Sequence, residues 1–174
     1  MTDAPIDRRA LALQARLSER GIPIEPREMD ASTHTAQQAA DALGCGVAAI
    51  VKSLLFEADG EPLLVLASGP NRVDTALLGA LLGTPVTMAD AKRVKAVTGS
   101  SIGGVPPLGH PEALRTIMDE TLHQLLEQDV AAQLGDPQVE LPVPFAEDLD
   151  PGALALFRHG QPVPREFEQF LTLR

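Results

Sequence analysis

Tryptophan and tyrosine are absent from this 174-residue chain, and only five phenylalanines stand in for them. A core of this composition must be built from Leu, Val, Ile and Ala, and exposed bases would find no broad stacking surface beyond Phe and Arg. Cysteine is reduced to Cys45, which excludes an intramolecular disulfide and a cysteine-rich metal site and agrees with a reducing compartment. Cys45 lies between two glycines just past a predicted helix end, and it reads as a small buried residue rather than a nucleophile. No apolar run reaches the roughly 18 residues of a membrane span. The N-terminal stretch lacks the continuous apolar segment of a secretory signal, so a cytoplasmic location is expected. The sequence holds no G-x-S-x-G elbow, P-loop, dinucleotide fingerprint or H-E-x-x-H pair. Its four histidines, His34, His110, His123 and His159, show no metal-ligand spacing. Neither a metal nor a cofactor is therefore expected.

Basic residues are scarce: 14 Lys and Arg face 24 Asp and Glu, a net charge of −10, and the only lysines are Lys52, Lys92 and Lys95. Tight, independent binding to a long duplex needs many cations on one face, so the charge argues against such binding, and no specific DNA binding is expected. Recognition of a short single-stranded end is not excluded. The length suggests one domain, or one domain with an appendage, large enough to bury a core without disulfides.

Helical spacing of Ala10, Leu13 and Leu17 predicts a helix over Asp7 to Arg20, stopped by Gly21. The Pro-rich stretch Ile22 to Pro26 reads as an edge strand or extended link. Thr35-Ala36-Gln37-Gln38 fits a capping box, opening a helix to about Leu43 with Gly44 as its stop. Ile50 to Glu57 and Pro62 to Ala67 read as antiparallel strands joined by an Asp59-Gly60 turn. Asp74 and Asp90 are expected to cap helices ending at Gly83 and near Gly99, with a short strand, Val86 to Met88, between them. After a Gly- and Pro-rich loop, Leu114 to Met118 reads as a strand and Asp119 as the opening of a helix to about Leu126. From residue 127 onward the character changes: six of the fifteen prolines and nine acidic against three basic residues fall here. This part reads as irregular, with a short helix near Arg165 to Leu171. The mixture of hairpin strands and helices without strict alternation points to α+β with a mixed sheet.

Three segments could carry chemistry. Lys52 interrupts an apolar strand, IVKSLLF, on the side shared with Ile50 and Leu54, where an ammonium needs an anionic or carbonyl partner; otherwise it is a surface lysine. Thr98 to His110, TGSSIGGVPPLGH, joins two adjacent glycines, which let backbone approach a ligand, to stiffening prolines, or else is plain connection. Ser68 to Arg72, SGPNR, offers a hydroxyl, an N–H, an amide and a guanidinium at a strand end, or else a turn and helix cap. Asp119 could add a carboxylate or simply face a helix dipole.

Taken in order, TAQQAADALG, AAIVKSLLF, VLASGPNRVD, AVTGSSIGGVPPLGH and MDETL resemble the YbaK/prolyl-tRNA synthetase editing-domain family over about Thr35 to Leu122, roughly half of the chain. The strand lysine, Lys52, and the G-x-x-x-P loop, Gly103 to Pro107, are the specific markers. The resemblance implies an α+β fold around a mixed, barrel-like sheet, with residues 1–126 as the editing domain and 127–174 as a divergent acidic segment. It implies hydrolysis of the ester between an amino acid and the terminal adenosine of a mischarged tRNA, with tRNA(Pro) carrying Ala or Cys as the expected substrate and prolyl-tRNA synthetase as a further partner. It makes Lys52 the catalytic residue. It draws substrate-binding residues from the quoted segments: Thr35; Ser68, Gly69 and Asn71; Gly103, Gly104, Val105, Pro107, Gly109 and His110; and Asp119. Lys52 and the N–H groups near Gly103 and Gly104 are expected to hold the carbonyl or a neighbouring phosphate, with the substrate's own ribose hydroxyl or amine acting on water. Two departures stand out: Pro106 replaces the Ser that family members often carry, and the chain beyond about Leu126 does not look like the family's last strand and helix. The alternatives are an inactive member of the fold that binds a synthetase or another partner, and a hydrolase of some other ester or amide.

Overall fold

The computed structural model describes residues 7–125, apart from 23, 27, 28 and 30–32. The expectations for residues 127–174, the helix near Arg165 among them, lie outside the described residues.

Local signals set most of the element boundaries. Asp7 caps α1 (Arg8–Glu19) by accepting from Arg9 N at 2.9 Å. Thr35 opens α2 (Ala36–Leu43) with a complete capping box: its hydroxyl accepts from Gln38 N, and the Gln38 side chain accepts from Thr35 N, each at 3.1 Å. Gly44 then takes the left-handed conformation that lets Cys45 N reach back to Ala40 O at 3.0 Å. That reversal leaves Cys45 exposed, which corrects the expectation of a buried thiol: the side chain follows the helix stop outward instead of the helix face inward. The two strands β1 (Val51–Ala58) and β2 (Glu61–Ser68) pair over their full lengths across the Asp59-Gly60 turn, where both residues have positive φ. Asp74 and Asp90 cap α3 (Thr75–Leu82) and α4 (Ala91–Thr98), with β3 (Val86–Met88) between them. The last strand, β4 (Arg115–Met118), leads directly into helical residues 120–125. Ile22 and residues 24–26 form a link and not a strand; Gln14 Nε2 holds Ile24 O at 2.8 Å.

The sheet is mixed, in the order β3-β1-β2-β4, with β1 antiparallel to β2 and β3, and β2 parallel to β4. It is open, which corrects the barrel-like expectation. Closure would require β3 and β4 to pair, yet they lie at opposite edges and pair over only three and four residues with their inner neighbours.

Strand alternation divides the core into two layers. Phe56, Ala58, Leu63, Val65 and Ile117 pack with Leu78 of α3 on one face. Leu55, Leu64, Leu66 and Met118 pack with Val94 of α4 and with Leu122 on the other. Both faces are covered, and that is why β2 reads as an almost unbroken apolar run. Among the described residues no helix is long and apolar enough to cross a membrane.

The core position should dominate stability. Leu64 is wholly buried whereas Leu11 is 45% exposed, so Leu64→Ala is expected to cost about 2–5 kcal/mol and Leu11→Ala about 0.5 kcal/mol or less, read from urea unfolding midpoints.

Candidate functional site

At its start, β1 runs beneath the N-terminal end of α2 and beside the loop after α4. The three segments enclose a cleft of about 420 Å³. Its walls are mostly apolar, from Ile50, Leu54, Met88, Val94, Ile102 and Val105, and its polar lining includes His34, Thr35, Lys52 and Ser53. Lys52 shares the strand face of Leu54 and Phe56 and pairs with Ala67, so a small neighbour across the hairpin leaves room for the long side chain. The partner required of a half-buried ammonium is the main-chain carbonyl of Asn71, which accepts from Lys52 Nζ.

That carbonyl is held from behind. Asn71 N donates to Ser68 O at 3.0 Å, closing a turn at the end of β2. The Asn71 side-chain amide donates to Asp119 Oδ2 at 2.6 Å and to Thr121 Oγ1 at 3.1 Å. Asp119 is buried and also accepts from Ser68 N at 3.3 Å and from Thr121 N at 2.7 Å. The fully buried Ser68 hydroxyl donates to Ala48 O at 2.7 Å. Gly69 completes the support by size: a Cβ there would lie 2.1 Å from Val47 O, far inside contact distance. Burial holds the Lys52 amine below its ordinary value of 10.5; Asp119 acts in the opposite direction and Arg72 adds to the lowering.

The residues expected from sequence therefore fall in three places. Thr35, Lys52, Gly103 and Val105 line the cleft. Ser68, Gly69, Asn71 and Asp119 stand behind Lys52, the polar groups of Ser68, Asn71 and Asp119 engaged with one another or with the backbone. Pro107, Gly109 and His110 line a separate small recess with Arg20 and Leu114. There Arg16 Nε donates to Gly109 O at 2.9 Å, and a Cβ on Gly109 would meet Leu13 of α1 at 2.6 Å, so this part of the loop serves the docking of α1. Gly104 is placed differently from the expectation of a substrate-facing donor: its N–H donates to Ser101 O at 2.9 Å and closes a turn. Gly103, at φ 83, is the cleft-lining glycine of the pair and supplies that turn's left-handed backbone. Sequence reasoning missed His34, Ser53, Met88, Ile102 and Thr121. His34 adjoins the cap residue Thr35, and Thr121 lies two positions after Asp119; those adjacencies were the available signals.

The profile described as an aminoacyl-tRNA editing domain matches residues 30–150. A proline–tRNA ligase of Lactobacillus helveticus is 36% identical over 107 residues, covering 61% of this chain and 19% of the ligase. The chain thus spans about a fifth of the length of that relative. The uncharacterized protein YwhH of Bacillus subtilis is 31% identical over 96 residues, 55% of this chain and 61% of YwhH. Among solved structures, that of a candidate trans-editing enzyme for prolyl tRNA synthetase is 40% identical with a TM-score of 0.64, covering 68% of this chain and 76% of the other.

Two outcomes follow from the geometry. Gly69→Ala should destabilise the fold by about 1–3 kcal/mol in urea, because the obstructing atom is backbone and cannot rotate away. Lys52 also imposes a pH dependence. Below its folded pKa both states are charged and the burial penalty is fully present. Between that value and 10.5 the unfolded chain keeps a proton the folded one has lost, so stability rises with pH. Wild-type stability measured against Lys52→Met should therefore increase from neutral pH to above 10.5.

Proposed function

The chain belongs to the aminoacyl-tRNA editing domain family, and from that premise we propose that it is a trans-acting deacylase that hydrolyses the ester of a mischarged tRNA, tRNA(Pro) carrying Ala or Cys. The observation that supports this reading is Lys52: a partly buried residue lining an otherwise largely apolar cleft, its ammonium anchored on a carbonyl. An ester carbonyl entering the cleft meets a fixed cation where negative charge develops as water adds. Collapse of the tetrahedral intermediate breaks the bond to the ribose oxygen, releasing the free amino acid and a terminal hydroxyl. The substrate's own vicinal hydroxyl or α-amine relays a proton from the attacking water to the departing ribose oxygen. Ser68, Gly69, Asn71 and Asp119 serve this reaction by placing the lysine, while Thr35, Gly103 and Val105 shape the wall the aminoacyl end meets.

The net charge of −10 limits how the RNA is held. The protein grips only the terminal nucleotides and acceptor end, or gains affinity from prolyl-tRNA synthetase, and its tRNA binding weakens as salt rises.

The test is deacylation of tRNA(Pro) charged separately with alanine, cysteine and proline. Loss of one mischarged ester is expected to exceed the spontaneous rate by at least about 100-fold, and Lys52→Ala to remove most of that acceleration. Absence of hydrolysis from folded wild-type protein would overturn the enzymatic reading in favour of a binding module.

A further inference from the structure

We propose that Thr121 is a positioning residue for Lys52, acting through the Asn71 amide without contacting substrate. This rests on the editing reading only for its kinetic consequence; the geometric claim stands by itself.

Asn71 carries two side-chain N–H donors, and two oxygens receive them: Asp119 Oδ2 at 2.6 Å and Thr121 Oγ1 at 3.1 Å. One anchor leaves the amide free to pivot; two oxygens at different positions fix its plane, and with the Asn71 N to Ser68 O bond they fix the residue whose carbonyl holds Lys52 Nζ. The helix that begins at residue 120 does not need a threonine for its own start. It is the Thr121 main-chain N–H that Asp119 Oδ1 receives, at 2.7 Å, and almost any residue supplies that donor. The hydroxyl is instead committed to a residue 50 positions earlier in the chain. Through it, the junction of β4 with residues 120–125 is tied to the loop after β2, and that loop to the lysine on β1.

The charged and titratable groups around the lysine are Asp119 behind it, Arg72 next to its carbonyl partner, and His34 in the lining of the cleft. None replaces the second anchor on Asn71. Losing that anchor lets the carbonyl swing away and the amine move toward solvent.

Thr121→Val keeps the shape and removes the acceptor; Thr121→Ser restores it; Thr121→Ala is the second removal should the valine fold poorly. With the mischarged ester that wild type hydrolyses best, Thr121→Val should lower kcat by between about 10- and 100-fold with KM little changed, and Thr121→Ser should recover it. An independent reading comes from NMR with ¹³C-labelled lysine. The chain has three lysines, so Lys52 is assigned by the signal missing in Lys52→Arg. In Thr121→Val its titration should move up toward 10.5, and in Thr121→Ser it should stay at the wild-type position. Folded Thr121→Val or Thr121→Ala with wild-type titration of Lys52 would overturn the proposal. Because the titration needs no substrate, it decides the positioning role even where wild type fails to hydrolyse any ester.

Discussion

An ammonium on a strand that is apolar on both sides must find an oxygen or leave the sheet. In this protein the oxygen is the Asn71 carbonyl, and much of the local architecture follows from holding it still. Ser68 ends β2 and turns the chain, Gly69 permits the close passage by Val47, and Asp119 and Thr121 reach across from the end of β4. The parallel pairing of β2 with β4 makes that reach possible: Asp119 N donates to Leu66 O at 2.8 Å, which brings the carboxylate alongside the Ser68 turn. A buried carboxylate with three protein donors is a stable place from which to orient a neighbour.

The sheet supplies the rigidity that this arrangement needs. With α3 on one face and α4 on the other, β1 and β2 are clamped through their middles; the start of β1 lines the cleft and the buried end of β2 supports it. The division of labour is spatial. Cleft walls come from segments whose side chains are mostly apolar, whereas the polar groups gather behind the lysine, where each has a partner.

Much of the local structure was legible. Thr35, Asp74 and Asp90 each announced a helix start, and Gly44, Gly83 and Gly99 each a stop, because capping satisfies donors and acceptors within a few residues. The Asp59-Gly60 turn was legible for the same reason. Sheet closure was not, since whether edge strands meet depends on how a sheet twists over many residues. The exposure of Cys45 was missed because its apolar character suggested burial while the geometry of the helix stop pointed it outward. The Gly103 to His110 loop looked like one unit in sequence, yet its halves face different neighbours: Gly103 and Val105 the cleft, Gly109 and His110 the recess beside α1.

By itself the sequence determined most of the elements, their caps, the hairpin and the presence of a charge within an apolar strand, since all of these arise from contacts between residues close in the chain or from strict alternation. Only the tertiary structure decided what that charge meets. Asn71 lies 19 residues from Lys52, and Thr121 lies 50 from Asn71. Nothing local in SGPNR or MDETL distinguishes a group that touches a ligand from one that holds another side chain in place. Those roles separate when strand pairing sets one carboxylate, one amide and one hydroxyl side by side behind the lysine, because hydrogen bonds act over about 3 Å of space and not along the sequence.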